Sequence, residues 1–406
     1  MKTTMTMSTL LEPDKRPTMS GIQTFQRRAL SAILVFAVVG CVCQGLANAQ
    51  AKAQVRSANG LTVLDAQHTQ VEAVDYVKAK AMPLPNSTLP PDSIQATVRA
   101  LLAGPVQGPS GGSEGGKGDG ITRPAFLGTP APQLGVAPED FGTSNHPFTT
   151  VRADLYHNGA AFATNALAPY APAGKLFFNV PGGSAWCSAS LIKPGIVVTA
   201  AHCVANFGQR QFYCGWQFVP GYRNGSAPYG VWNGVQAWIL TSYFIGTDPC
   251  AQSGVICQDD VALIVLSGTP GHSAGWYGYW YGGGSTPNGL FQITQLGYPV
   301  GLDNGLYMER TDSYGYTNSS LSNNTIIGSN MNAGSSGGPW LENFGLTSTL
   351  TGETNGSFPQ RRVIVGVTGW GYVNLAVKEQ GASPFTFGNI QVLINAACGA
   401  NPLNCQ

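Results

Sequence analysis

The stretch Gly195-Ile196-Val197-Val198-Thr199-Ala200-Ala201-His202-Cys203 runs a β-branched apolar segment straight into a histidine and a cysteine. Such a run, opened by a glycine, reads as a strand. Similar runs recur at Lys175–Val180, Val261–Leu266, Phe291–Leu296 and Val363–Thr368. Each is short, and clusters of Gly, Asn, Pro and Ser separate them, which is the pattern of a large all-β domain. The run Gly275-Trp276-Tyr277-Gly278-Tyr279-Trp280-Tyr281 reads as strand and turn core, with a carbohydrate platform as the alternative. From about residue 146 onward the pattern persists for roughly 260 residues, enough for two packed barrels.

Composition narrows the function classes. Only 10% of the 406 residues are charged, against roughly 25% in an average protein, while 43% are hydrophobic. That excludes a disordered chain. The 53 glycines lack the every-third-residue period of collagen. A net charge of +1 gives no electrostatic footprint for nucleic acid.

Ahead of the β-rich part the chain carries an address. Arg27 and Arg28 precede the apolar run Ala29–Cys43, and Ala47-Asn48-Ala49 follows. The run has the length of a signal-peptide core and falls short of the ~18 residues of a membrane span. We expect a signal peptide over 1–49, cleaved after Ala49, and hence a secreted or periplasmic protein with no stable span. Lipid anchoring through Cys41, after Val38-Val39-Gly40, is the rival reading. Residues 50 to about 104 carry more charge than the rest and are broken by Pro83, Pro85, Pro90 and Pro91. A short helix with Ile94, Val98 and Leu101 on one face is expected there, then a Gly/Ser/Pro linker from Gly104 to Gly120. Residues 50–145 read as a propeptide or linker and 146–406 as the main domain, with barrels at about 165–268 and 269–395.

Export permits disulfides. Three short-range pairs fit the spacing, Cys187–Cys203, Cys250–Cys257 and Cys398–Cys405, with Cys214 left over. Spacing alone does not fix connectivity, and Cys214 could displace one partner. The absence of Cys-x-x-Cys and the scatter of the five histidines argue against a metal site.

Three motifs carry chemistry: Thr199–Cys203, Asp259-Asp260-Val261-Ala262-Leu263-Ile264 and Gly334-Ser335-Ser336-Gly337-Gly338-Pro339. A hydroxyl becomes a nucleophile at neutral pH only if a base takes its proton. The base must be held in one tautomer by a carboxylate. The developing oxyanion needs preorganised N–H donors. Ser336 would attack, His202 would act as base and then acid, and Asp260 would orient it, with Asp259 as an adjacent alternative. The N–H groups of Gly334 and Ser336 would form the oxyanion hole. A Cys187–Cys203 bond would clamp His202 to the preceding strand, closing a loop worth roughly 3 kcal/mol.

These motifs, in this order, resemble those of chymotrypsin-like serine peptidases over about residues 170–395. Gly174-Lys175-Leu176-Phe177-Phe178, Cys187-Ser188-Ala189-Ser190-Leu191-Ile192, Phe218–Gly225 and Gly297-Tyr298-Pro299 resemble the bacterial glutamyl-endopeptidase-like branch. The resemblance implies two perpendicular six-stranded antiparallel β-barrels with the active site in the cleft between them. It also implies hydrolysis of protein or peptide substrates through an acyl-enzyme, without a cofactor; a monomer is expected. Gly366–Gly371 is similar to the substrate-binding strand. There Gly369 and Gly371 would pair with substrate and Trp370 would wall the pocket that takes the side chain before the scissile bond. Asn330 and Met331 match another pocket wall.

This chain departs from the family at several positions. Ser335 stands where an Asp usually precedes the nucleophile, so activation by pairing that Asp with a new N-terminus is not implied. Gly369 stands where a Ser often bonds the catalytic Asp, unless Thr368 substitutes. Thr368 also stands where Glu-selecting members carry His, and Met331 where they carry a hydroxyl. An uncharged side chain before the scissile bond is therefore expected. The competing readings are a catalytically silent trypsin-fold binding or adhesion module, and an esterase on another fold. Gly334–Gly338 fits Gly-x-Ser-x-Gly, but no His follows it, as an α/β-hydrolase requires.

Overall fold

The computed structural model describes residues 54–66, 73–91, 110–128, 141–143, 146–157, 160–162, 164–282, 290–318, 324–344 and 362–406. The chain divides between Leu34 and Val35 into two units, the first wholly outside these residues. The signal run, its cleavage site, Cys41 and the expected helix around Ile94–Leu101 also lie outside them.

Six strands close the first barrel in the order Trp232–Leu240, Cys214–Pro220, Ala173–Val180, Gly183–Lys193, Ile196–Thr199 and Ala262–Leu266, which pairs back onto Trp232–Leu240. Six more close the second: Leu290–Gly297, Pro339–Glu342, Val363–Tyr372, Glu379–Pro384, Asn324–Gly328 and Glu309–Asn318, which returns to Leu290–Gly297. All these pairings are antiparallel. Each of the five apolar runs picked out from the sequence lies in one of these strands, apart from end residues. The aromatic run around Tyr279 is strand and core: Tyr277 and Tyr279 are buried, and Gly278–Tyr281 pairs beside Val363 and Ile364.

The described parts of the N-terminal segment lie against these barrels. The hairpin Gln54–Ala58 and Leu61–Asp65 extends the first barrel's sheet along Trp232–Leu240. Lys80–Ala81 pairs with Gly183–Lys193, and Asn86–Ser87 with Val363–Tyr372, both in parallel. Within the Gly-rich stretch, Gly111–Ser113 pairs with Tyr279–Tyr281.

The three short-range disulfides are present: Cys187–Cys203, Cys250–Cys257 and Cys398–Cys405. Cys214 is not left over, as the sequence reading had it. It too is disulfide-bonded.

Candidate active site

The strand Ile196–Thr199 ends in one short turn, Ala201–Cys203, that carries His202. The disulfide from Cys203 to Cys187 ties this turn to the neighbouring strand. Asp260 lies just ahead of the strand Ala262–Leu266, which pairs with Ile196–Thr199. Strand pairing thus delivers the carboxylate to the histidine. Asp260 Oδ2 lies 2.7 Å from His202 Nδ1, and Oδ1 accepts the His202 backbone N–H at 2.9 Å. Both residues are buried. The two contacts fix ring and backbone together, and a proton on Nδ1 would leave Nε2 as the acceptor.

The adjacent Asp259 does not compete. Its carboxylate accepts from Asn389 Nδ2 at 3.3 Å, and its backbone N–H donates to Asp248 Oδ2 at 2.9 Å. Burial pushes both of these carboxyls upward, Asp248 to about 8, with the nearby Asp259 charge adding to the effect on Asp248.

Ser336 comes from the second barrel. Its loop is held from both sides. The Ser188 N–H donates to Ser336 O at 2.8 Å, and the Ser188 hydroxyl donates to Gly334 O at 2.8 Å. Gly337 N–H donates to Thr368 O at 2.8 Å. Gly337 has φ +75°, and a Cβ there would lie 1.9 Å from Thr199 Oγ1 and 2.9 Å from Ala200 N. This close approach sets the Ser336 loop against the residues that lead into His202, and only glycine permits it. Ser336 Oγ and His202 Nε2 are both buried and have no hydrogen-bond partner among the described residues. Gly334 has φ +90°, and its N–H donates to the carbonyl of Met82 at 3.0 Å.

The sequence reading missed Ser188 and Trp186. Trp186 Nε1 donates to Tyr298 O at 3.1 Å and abuts the Gly334 turn. The fully buried Lys175 ammonium sits 3.9 Å over the Trp186 ring and donates to Gly305 O at 2.8 Å, and burial holds its pKa well below the ordinary lysine range. The only cues in the sequence were adjacency to Cys187 and, for Ser188, the family-like stretch in which it stands. Ser335, in place of an acid, is buried and donates to Asn332 O at 2.7 Å within its own loop.

The candidate pocket residues divide. Gly369 lies beside Asp260, since a Cβ on it would be 3.2 Å from Asp260 Oδ2. Gly371 N–H donates to Pro85 O at 2.9 Å. Thr368 does not substitute for the family's Asp-bonding hydroxyl. Its Oγ1 accepts from Gln295 Nε2 at 2.8 Å and from Trp340 Nε1 at 3.0 Å. Trp370 is wholly buried, packs edge-on to Tyr372 and donates to Asn324 Oδ1 at 2.9 Å. Met331 is buried, with its sulfur against Gly297, while Asn330 Oδ1 is a buried acceptor with no partner among the described residues.

Two clusters bring potential metal ligands together, Cys187–His202–Cys203 and Asp248–Cys250–Cys257. In both the sulfurs are joined in disulfides, so neither offers a thiolate. No helix among the described residues is long and apolar enough to cross a membrane.

The chain is 29% identical over 196 residues to the extracellular metalloprotease of Bacillus subtilis (strain 168), covering 41% of this chain and 58% of that one, so it spans little more than half of that relative's length. Among solved structures it is similar to the protease Anisep from Arthrobacter nicotinovorans (TM-score 0.44, 22% identity, 56% of this chain and 96% of that one). It is also similar to a Glu endopeptidase (TM-score 0.43, 22% identity, 61% and 96%). The family model for Trypsin matches residues 171–385, more than half of the chain. That match takes in strands of both barrels together with His202, Asp260 and Ser336, and the chain belongs to the Trypsin family.

Proposed function

We propose that the chain is an exported serine endopeptidase. Family membership supports a peptidase acting on protein substrates. Ser336 Oγ attacks the substrate carbonyl while His202 Nε2 takes its proton. The N–H groups of Gly334 and Ser336 hold the oxyanion. His202 then returns the proton to the leaving amine, and water hydrolyses the acyl-enzyme by the same route. Asp260 holds the tautomer and stabilises the imidazolium, and no cofactor enters. The observation that supports this most is the double contact of Asp260 with His202, together with a Ser336 hydroxyl that is buried and has no partner among the described residues, on a loop whose Gly337 packs against Thr199 and Ala200. Asn330, Met331, Thr368, Gly369, Trp370 and Gly371 include no ionisable side chain, which supports an uncharged residue before the scissile bond. Three disulfides between described cysteines fit an oxidising compartment. Export on the N-terminal address, removal of 50–145 as a propeptide and a monomeric state complete the reading.

The test is fluorophosphonate labelling of the secreted, matured protein. Label on Ser336, lost in Ser336→Ala, supports the reading. A folded mature protein that takes no label overturns it. A peptide panel checks the pocket, and strong cleavage after Arg, Lys or Glu would refute the uncharged preference.

A further inference from the structure

Residues 80–88 touch both halves of the candidate site. Ala81 pairs with Trp186, and the Met82 N–H donates to Trp186 O at 2.8 Å. Met82 O accepts from Gly334 N–H, a proposed oxyanion donor, at 3.0 Å. Pro85 O accepts from Gly371 N–H at 2.9 Å, Asn86 and Ser87 pair with Gly371 and Tyr372, and Val373 N–H donates to Ser87 O at 3.1 Å. Leu84 is 5% exposed and lies against Gly371. Gln252 Oε1 latches the far end, accepting from Ser87 Oγ at 3.2 Å and from Thr88 N–H at 3.0 Å. A peptide ligand would need the same backbone groups.

The direction of this segment is decisive. In the proposed reaction the residues before the scissile carbonyl lie along Gly369–Gly371. Here the carbonyl at Gly334 belongs to Met82, and it is the residues after it, Pro85–Ser87, that lie along that strand. The segment therefore runs opposite to a substrate. A carbonyl can reach the oxyanion donor from this direction while its leaving nitrogen lies on the acyl side of the site, away from where His202 must deliver a proton. The bond concerned, Met82–Pro83, is also an amide to a proline ring.

We propose that this site accepts a second class of peptide ligand, extended, apolar and reversed in direction, and that residues 80–88 are its built-in example, holding the enzyme silent until displaced. This rests on the endopeptidase reading above.

Labelling of Ser336 in the full chain tests it. Wild type should react slowly. Leu84→Asp, which places a charge at a buried position, should react at least about tenfold faster. Gln252→Ala, which removes the latch without touching the core contact, should give a smaller increase of roughly two- to fivefold. A synthetic peptide of residues 79–89 should slow labelling of Leu84→Asp again. Mass spectrometry after long incubation should find the Met82–Pro83 bond intact in wild type and the corresponding bond intact in Pro83→Ala, since direction and not the proline protects it. Wild type labelling as fast as both release variants would overturn the proposal while leaving the endopeptidase reading intact. So would cleavage after Met82 in Pro83→Ala. No labelling in any folded form would overturn the endopeptidase reading, and this proposal with it.

Discussion

The Ser188 hydroxyl donates to the carbonyl of Gly334 at 2.8 Å and accepts the Tyr298 N–H at 2.9 Å. One side chain on a first-barrel strand thereby holds the peptide unit next to a proposed oxyanion donor in the second barrel. Its neighbour Cys187 bonds the residue after His202. Two adjacent residues thus tie His202 and the Ser336 loop to one strand.

Ser188→Ala should keep the backbone bond to Ser336 O but leave Gly334 O and the Tyr298 N–H unpaired. Loss of an oxyanion donor costs about 10²–10³ in kcat. A donor that is shifted but still present should cost less, roughly 10–100-fold, with KM little changed. Ser188→Thr, which keeps the hydroxyl, should recover most of it. Steady-state kinetics on one peptide ester checks this. Equal losses in both variants would show that the hydroxyl does not act through Gly334.

Asp260→Asn should preserve the fold and cost about 10⁴ in kcat. The amide keeps an acceptor for one contact but presents N–H toward His202 Nδ1. The ring then carries its proton on Nε2 and cannot take the one from Ser336. A kcat–pH profile should show the remaining activity rising toward high pH, where hydroxide can substitute for the base. A loss below tenfold would assign the carboxylate another role.

Gly337→Ala tests the contact between the barrels. Its Cβ would meet Thr199 Oγ1 at 1.9 Å and Ser188 O at 2.5 Å, with φ at +75°. Nothing there is a free side-chain end, because Thr199 Oγ1 is itself bonded to Ser188 O at 3.0 Å. The Ser336 loop must retreat, and a displacement near 1 Å costs about 10²-fold. Labelling of Ser336 should slow by at least that factor, and wild-type labelling would refute the constraint.

The barrel strands were legible because runs such as Ile196–Thr199 carry their β preference locally, and the two-barrel architecture followed from the motifs' resemblance. The choice of Asp260 over Asp259 was not settled by sequence, since adjacent carboxylates differ only in the partners that tertiary structure brings them. Asp259 meets Asp248 and Asn389 from distant segments. Ser188 stood in a family-like stretch, but what its hydroxyl holds was hidden for the same reason, because the hydroxyl's partners lie more than 100 positions away along the chain. The pairing of Met82 and Pro85 with Gly334 and Gly371 was equally hidden, since parallel contacts of two residues leave no periodicity in the sequence.

Thr368→Val separates stability from catalysis. The hydroxyl accepts from Gln295 and Trp340, both buried, and does not reach Asp260. Removing it strands two donors, at about 1–3 kcal/mol each. Tm should fall by roughly 4 °C or more, at about 2–4 °C per kcal/mol. The kcat–pH profile should keep its shape. A changed profile at unchanged Tm would place Thr368 in the triad's network after all.

The Asp248–Asp259 pair sets a pH dependence of stability. Burial first, and the neighbouring Asp259 charge second, raise Asp248 from 3.8 to about 8. Between about pH 4 and 8 the folded chain therefore keeps a proton that the unfolded chain has released. Stability then falls as pH rises through this window, and the loss is complete above about pH 8. Asp248→Asn cannot ionise, yet its Oδ1 can still accept the Asp259 N–H and its amide can donate to the Asp259 carboxylate. The variant should match wild type near pH 4 and gain on it steadily, reaching a Tm at least about 3 °C higher by pH 8. Because burial also raises Asp259, some slope should remain in the variant. Calorimetric scans at pH 4, 6 and 8 decide it: parallel Tm curves would mean that Asp248 is already ionised in the folded chain.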